Sequence, residues 1–392
     1  MTSASKASAG RASASKVSAG RPSAGRASSA ADLAPSATMR AIVFDRHGGS
    51  DVLAWREVPR PTAGPGEVLV AVRALAVNRG LDVETRRTGF GMPGIELPHI
   101  GGVDPVGVVA EVGADVRDVA VGDRVAVYPV IACGRCAPCL AGAGENYCDD
   151  QRLFGVQTHG GRAEYVRVPA GQLARLPDSV SFEAAAALGV AYTTTWHGIV
   201  HRARLTAEDT LLVMGAGGAC GVAAVQLGRL LGARVLAVTG PGWKQDALRE
   251  LGADGVFSYR DPDWPAQVRA ATGGRGVTAA FDNAGTATLA GTLETLGMGG
   301  RLFCCGGTSG FEVNLNLRNL YRNHISLLFY MQGTRSDLVR LLELVAAGEL
   351  DPVIGGRYPL HDAALADDRL DAQRHFGRIL LTVDGDQGVA GD

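Results

Sequence analysis

Between residues 210 and 307 the sequence switches repeatedly between two hydrophobic periods, and that alternation limits the possible folds more than any other feature. TLLVMG reads as a strand and 221–231 as a helix. ARVLAV, GVFSY, TAAFDNA and RLFCCGG then read as strands, separated by helix-like KQDALRELG, WPAQVRAAT and TLAGTLETLG. Strands that alternate with helices need crossover connections, so they are expected to lie parallel in a doubly wound α/β sheet. Residues 39–187 read differently. Short β-rich runs (Val68 to Val72, Val106 to Val112, Arg124 to Val127, Ala163 to Val168) alternate with Gly, Pro and Asp turns, as in a compact β-barrel-like domain. The last stretch (helix DLVRLLELVAAG, strands GRYPL and RILLTV) breaks the alternation and is free to return to the first domain. The boundaries are drawn at 39–187, 188–330 and 331–385, with a short tail at 386–392.

The loop after the first strand of the alternating region is Gly215-Ala216-Gly217-Gly218-Ala219-Cys220-Gly221. Glycines let a tight turn form and let backbone N–H groups approach a pyrophosphate, and the helix that follows directs its positive end at the same anion. Strand before, helix after and a βαβ unit around it are the context such a loop requires. Cys220 takes the place of a third glycine. The second strand ends in Thr239-Gly-Pro-Gly-Trp-Lys244, with no acid before Asp246. An acid there would accept from the ribose 2′-OH of NAD. Thr239 and Lys244 instead suit a 2′-phosphate, so NADPH is the expected cofactor; the alternative is that Lys244 is a solvated lysine at a helix start.

Cys133, Cys136, Cys139 and Cys148 fall within sixteen residues, enough thiolate to close a tetrahedral Zn²⁺ site from one loop. A closed four-sulfur shell has no open position for a substrate, so this zinc is expected to be structural. The alternative is a cysteine loop that holds no metal. Cys220, Cys304 and Cys305 lie in apolar segments, and the cysteine pattern fits a reducing cytoplasm better than a disulfide-stapled fold.

Residues 1–38 are low-complexity Ser, Ala and Gly with five cations (Lys6, Arg11, Lys16, Arg21, Arg26) against one acid, Asp32. There is little to bury, so disorder is expected. A solvated extension, a start at Met39, and a targeting or anion-binding tail are the competing readings. The chain as a whole carries a net charge of −2, so its globular part is acidic and is not expected to bind nucleic acid. No apolar run reaches the ~18 residues of a membrane span.

Together these pieces resemble the medium-chain dehydrogenase/reductase superfamily. The match is carried by GEVLV (66–70), PHIGGVDPVG (98–107), VGDRV (121–125), the four-cysteine lobe, GGRAEYV (160–166), the 215–221 loop, LGAD (251–254) and GGRG (273–276). The resemblance implies a GroES-like catalytic domain, a Rossmann cofactor domain, a C-terminal return to the first domain, and homodimers or homotetramers. It also implies that Gly306 and Gly307, after Cys304-Cys305, lie where the nicotinamide carboxamide meets backbone. Zinc alcohol dehydrogenases of the superfamily carry a second, catalytic zinc. The corresponding segments here read VNRGLDV, GVD and GVAYTTTWH, with no Cys, with Val103 in the His position, and again with no Cys. The chain therefore resembles the quinone and enone reductase-like members that keep only the structural zinc. Where such members place seven residues between the last two cysteines, this lobe has eight, the extra one in AGAGEN (141–146).

Without a metal the choice of reaction narrows. Ketone reduction places a localised alkoxide in the transition state, which needs a Lewis acid or strong proton donor. Hydride addition to an activated C=C gives a delocalised enolate that a few hydrogen bonds can hold. An enone, quinone or enoyl thioester is the expected substrate, with Tyr192 or Thr194 as oxyanion donor and Asn78 at the nicotinamide-facing edge. His197 reads as a structural helix residue rather than a general acid, and His99 and His159 as structural. Segments 84–97 and 321–335 (Met92, Ile95, Leu97, Phe329, Tyr330, Met331) are expected to line an apolar cleft. Two other functions stay open: an alcohol dehydrogenase or carbonyl reductase, and a cofactor-binding protein without catalysis.

Overall fold

The computed structural model describes residues 37–383; the two chain ends, with the basic low-complexity segment and the 386–392 tail, lie outside the described residues. The alternating region forms one six-stranded sheet in the order Gly255–Ser258, Arg234–Thr239, Thr210–Met214, Val277–Phe281, Leu296–Cys304, Ser326–Phe329. Every pairing in it is parallel. The strand order therefore reverses beside Thr210–Met214, which is the topological switch point where doubly wound sheets bind ligands. Leu211, Leu212 and Val213 have no exposed surface. That follows from helices covering both faces, which is why the strand reads as a continuous apolar run.

The sixth strand, Ser326–Phe329, corrects the reading of 321–335 as a cleft loop: part of that segment is the sheet's edge. The helix Arg335–Ala346, which follows that edge strand, is started by a capping box between Thr334 and Asp337.

The first domain is built on a mixed sheet ordered Ile354–Pro359, Arg378–Thr382, Glu67–Ala76, Asp104–Val112, Arg124–Val127, Leu173–Arg175, with Tyr165–Pro169 also pairing with Glu67–Ala76. The C-terminal strand Arg378–Thr382 pairs antiparallel with Glu67–Ala76, so the end of the chain completes the first domain. Its inward side chains Val68, Val70, Val72, Val166, Val168, Ile379 and Leu381 form that domain's core, the period-2 placement expected of half-buried strands.

The helix Phe182–Trp196 joins the two domains and is buried along most of its length. A helix not marked in the sequence, Ala363–Asp371, covers the first domain and carries the fully buried Asp367.

Candidate functional site

Gly215, at the end of the first cofactor-domain strand, has φ +68, a conformation that glycine adopts without strain. The chain then turns into the helix Ala219–Leu230, whose N-cap is Gly218 and whose N-terminus no side chain caps. The first N–H groups of a helix have no intrahelical acceptor, so those of Ala219, Cys220 and Gly221 are available to an anion. A Cβ on Gly221 would sit 2.3 Å from Gly215 O and 2.6 Å from Ala216 Cα. Glycine there is required by the close approach of helix and loop.

Thr239 and Lys244 are brought to the same loop. A Cβ on Gly217 would meet Lys244 Cδ at 2.9 Å and Thr239 Oγ1 at 3.2 Å. Lys244 Nζ donates to the carbonyl of Gln373, on the C-terminal return, at 2.7 Å, and burial pushes its pKa down. The lysine thus bridges the glycine loop and the C-terminal return. Gly306 and Gly307 follow the strand Leu296–Cys304 at the same sheet end. Gly306 lies against Asn283, and a Cβ on Gly307 would meet Gly310 O at 2.7 Å. These residues fit a dinucleotide laid across the switch point.

Asn78 is buried and fully hydrogen-bonded. Its Nδ2 donates to Asp104 Oδ2 at 2.9 Å and its Oδ1 accepts from Arg378 at 3.1 Å. Arg378 also donates to Asp104 Oδ2 at 2.9 Å, and the Val190 N–H donates to Asp104 Oδ1 at 2.9 Å. Burial pushes the Asp104 carboxyl up, opposed by Arg378, Asn78 and Val190. Every one of those partners is a donor, which selects the carboxylate and therefore a buried Asp104–Arg378 ion pair. Next to it, Asp82 accepts from the Asn78 and Gly102 N–H groups, and burial raises its pKa to about 6. Arg86 and Arg162, with Asp367, make a second buried ion-pair cluster in the same domain.

The three segments compared with metal-ligand positions meet at this network. Val103 is buried, and a Cβ on Gly189 would come 2.2 Å from Asp104 Oδ2. The Asp104 carboxylate fills the space that any side chain at 189 would need. These residues offer no metal-ligand set.

The two hydroxyls singled out in the joining helix have different surroundings. Tyr192 OH donates to Gln226 Oε1 at 2.5 Å and accepts from Val353 N at 3.2 Å, and burial raises its pKa far above that of a free phenol. Its hydroxyl ties the joining helix to the glycine-loop helix and to the C-terminal segment. Thr194 Oγ1 is buried without a partner. Met92, Ile95 and Tyr330 pack on one core cluster, while Phe329 and Met331 are exposed. His99 is buried beside Phe44, and burial lowers its pKa to about 4. Cys304 and Cys305 are pushed up by burial and hydrogen-bond to Gly306 O and Asn283 Oδ1 respectively.

The sulfurs of Cys133, Cys136, Cys139 and Cys148 lie within 4.8 Å of one another, and none is in a disulfide. A tetrahedral four-sulfur zinc site has S···S separations of about 3.8 Å; Cys136 and Cys148 are 3.9 Å apart. The Cys133 N–H points at Cys148 Sγ at 3.2 Å, and the Arg135 and Cys136 N–H groups hold the Cys133 thiol down at about 7. The donor set fits a zinc ion. Gly142 and Gly144, at φ +69 and +106, form the bend that accommodates the extra residue of the lobe.

His197, His201 and Asp337 form a second cluster of ligand-type side chains. The sequence reading had only His197, as a structural helix residue; His201 and Asp337, the latter 140 residues away from His197, join it only in the fold. Asn146 Nδ2 donates to the carbonyl of Gln332 at 3.1 Å, which fixes its amide orientation, and also faces His197 Nε2 at 3.3 Å. Nε2 therefore accepts and Nδ1–H donates to Asp337 Oδ2 at 3.1 Å. His201 Nε2 contacts the other oxygen at 2.9 Å. Asp337 is satisfied by these contacts and by the Thr334 N–H, so the cluster is complete as a hydrogen-bond network.

The family model described as "Alcohol dehydrogenase GroES-like domain" matches residues 64–178, and that described as "Zinc-binding dehydrogenase" matches 219–347. An alcohol dehydrogenase of Geobacillus stearothermophilus is 31% identical over 84% of this chain and 96% of its own length. A quinone oxidoreductase of Sus scrofa is 27% identical over 88% of this chain and 97% of its own. Among solved structures, an NAD-dependent alcohol dehydrogenase superposes with a TM-score of 0.84 at 39% identity, covering 88% of this chain and all of that one. No helix among the described residues is long and apolar enough to cross a membrane.

Proposed function

Because the chain belongs to the medium-chain dehydrogenase/reductase family and is an NAD(P)-dependent oxidoreductase, we propose that it uses NADPH to reduce an activated C=C bond, in an enone, quinone or enoyl thioester, without a catalytic metal. The observation that carries this reading is the Asn78–Asp104–Arg378 network, whose carboxylate occupies the space over Gly189. With no Lewis acid at that point, a localised alkoxide lacks its counter-charge, whereas a delocalised enolate needs only hydrogen-bond donors.

A reduced nicotinamide, when bound, would supply the hydride that adds to the β-carbon of the substrate. The N–H groups of Ala219, Cys220 and Gly221 hold the pyrophosphate, with Gly215, Gly217 and Gly218 shaping the loop. Thr239 and Lys244 meet the 2′-phosphate once Lys244 leaves the Gln373 carbonyl. Backbone at Gly306 and Gly307 orients the carboxamide. The Thr194 hydroxyl, which has no other partner, donates to the oxygen on which negative charge develops. Met92, Ile95 and Tyr330 exclude water from the acceptor, and a proton from solvent completes the product at the α-carbon. The lobe cysteines Cys133, Cys136, Cys139 and Cys148 hold a structural zinc.

A second reading, an alcohol dehydrogenase or carbonyl reductase, is favoured by the names of several relatives. One assay separates the two. NADPH consumption is expected with an enone and not with the saturated ketone of the same skeleton; turnover of the ketone alone would sink the conjugate-reduction reading. Lys244→Ala is expected to weaken NADPH binding about tenfold or more while leaving NADH nearly unchanged. Equal losses for both nucleotides would remove the lysine from 2′-phosphate recognition.

The edge strand Ser326–Phe329, with its exposed Phe329, and the exposed Leu317 and Tyr321 of the helix just before it leave an unpaired sheet edge beside apolar side chains. We assign this face to a second copy of the chain, in a homodimer or a homotetramer built from it. A monomeric mass in solution by light scattering would refute it.

A further inference from the structure

The four-cysteine lobe does more than close on itself: its 144–146 segment reaches the turn that follows the cofactor domain's edge strand. Gly144 comes so close that a Cβ there would lie 3.2 Å from Thr334 Cγ2. Glu145 stands 4.0 Å from Arg335. Asn146, two residues before Cys148, donates from Nδ2 to the carbonyl of Gln332 at 3.1 Å and to His197 Nε2 at 3.3 Å.

Gln332 is an informative target. Its φ of +43 is unusual for a residue with a side chain, and it is 6% exposed. Such a conformation persists only when its surroundings fix it. Two hydrogen bonds from the first domain do so, Asn146 to the Gln332 carbonyl and Tyr128 OH to the Gly333 carbonyl. The turn continues back to Tyr330, whose N–H donates to Cys304 O at 3.2 Å, on the strand that runs into Gly306 and Gly307. Tyr330 OH presses on Gly198, where a Cβ would lie 1.9 Å away. Asn146 therefore touches both structures that bound this end of the cleft: the 330–333 turn, and, through His197, the helical segment that follows Thr194.

We propose that Asn146 is a positioning residue through which the four-cysteine lobe fixes the Tyr330–Gly333 wall of the cofactor cleft. Loss of the zinc frees Cys148, and with it the Asn146 amide; the Gln332 turn then relaxes and the nicotinamide end of the cleft loses its shape. The proposal rests on the cofactor placement above, so its test has one arm that needs no cofactor.

The experiment compares wild type, Asn146→Ala and Asn146→Asp as full-length zinc-loaded proteins. Asp is the same size but cannot donate to the Gln332 carbonyl. Both variants are expected to keep the wild-type zinc content and bind NADPH about tenfold more weakly by cofactor fluorescence. Amide exchange in 330–334 is expected to quicken while exchange in strand Thr210–Met214 stays unchanged. Because zinc and Asn146 act through one route, chelating zinc from Asn146→Ala should weaken NADPH binding no further than chelating it from wild type. Zinc-loaded variants with wild-type affinity and wild-type exchange at 330–334 would overturn the proposal, as would multiplying effects of chelation and substitution. If wild type binds neither NADPH nor NADH, the cofactor reading fails, and the exchange arm still decides the role of Asn146.

Discussion

Replacing Asp104 with Ala is expected to lower the free energy of unfolding by about 3–5 kcal/mol, measured by urea denaturation at neutral pH. The change strips the carboxylate from a site where both side chains are 1% exposed. Arg378 is left as a buried cation whose remaining side-chain partner is Asn78 Oδ1, the Val190 N–H loses its acceptor, and the Asn78 amide keeps only its longer contacts to Asp82 and the Ala76 carbonyl. An uncompensated buried charge, more than the loss of attraction, accounts for the size of the effect. The double variant Asp104→Leu with Arg378→Met removes both charges at similar volume and is expected to recover most of the loss. A single variant within 1 kcal/mol of wild type would mean that Arg378 reaches water, and that the network does not seal this part of the cleft.

Gly221→Val should abolish dinucleotide binding, raising the dissociation constant for NAD(P)H at least about a hundredfold. The clash is with backbone, Gly215 O and Ala216 Cα, neither of which can swing aside as a side chain would. The helix Ala219–Leu230 must retreat from the loop, and its N-terminal N–H groups no longer converge on the pyrophosphate. Gly221→Ala meets the same atoms with a single methyl and is expected to weaken binding less. Zinc content should be unchanged in both, because the lobe lies in the other domain. Wild-type affinity for NADPH and NADH in Gly221→Val would remove the glycine loop from the cofactor site.

Local pattern carried the sequence reading a long way, and its failures have identifiable physical causes. The central strands Thr210–Met214, Arg234–Thr239 and Val277–Phe281 were legible because a parallel strand buried on both faces reads as a nearly continuous apolar run. Ser326–Phe329 was not, because it is short and half-exposed, and a serine followed by three apolar residues fits a loop equally well. The helix Ala363–Asp371 was hidden for the opposite reason. One of its buried positions is Asp367, neutralised by Arg86 and Arg162, so a carboxylate stands where helical periodicity demands an apolar residue.

At the candidate site the division is similar. The glycine loop, Thr239, Lys244 and the four cysteines could be picked out because each group is close in sequence or placed by strand order. The surroundings of Tyr192 and Asn78 could not, since their partners lie far along the chain: Tyr192 meets Val353, 161 residues away, and Asn78 meets Arg378, 300 residues away.

The sequence alone determined the two architectures, the sulfur cluster and the phosphate-binding turn, because periodicity, glycine placement and cysteine spacing are local consequences of backbone geometry and ligand number. Only the tertiary structure decided that Asp104 pairs with Arg378, 274 residues on, over Gly189, and that the lobe's Asn146 grips Gln332. A buried charge or amide takes whichever partner the folded chain brings within 3 Å, and nothing in its own neighbourhood of sequence encodes that partner.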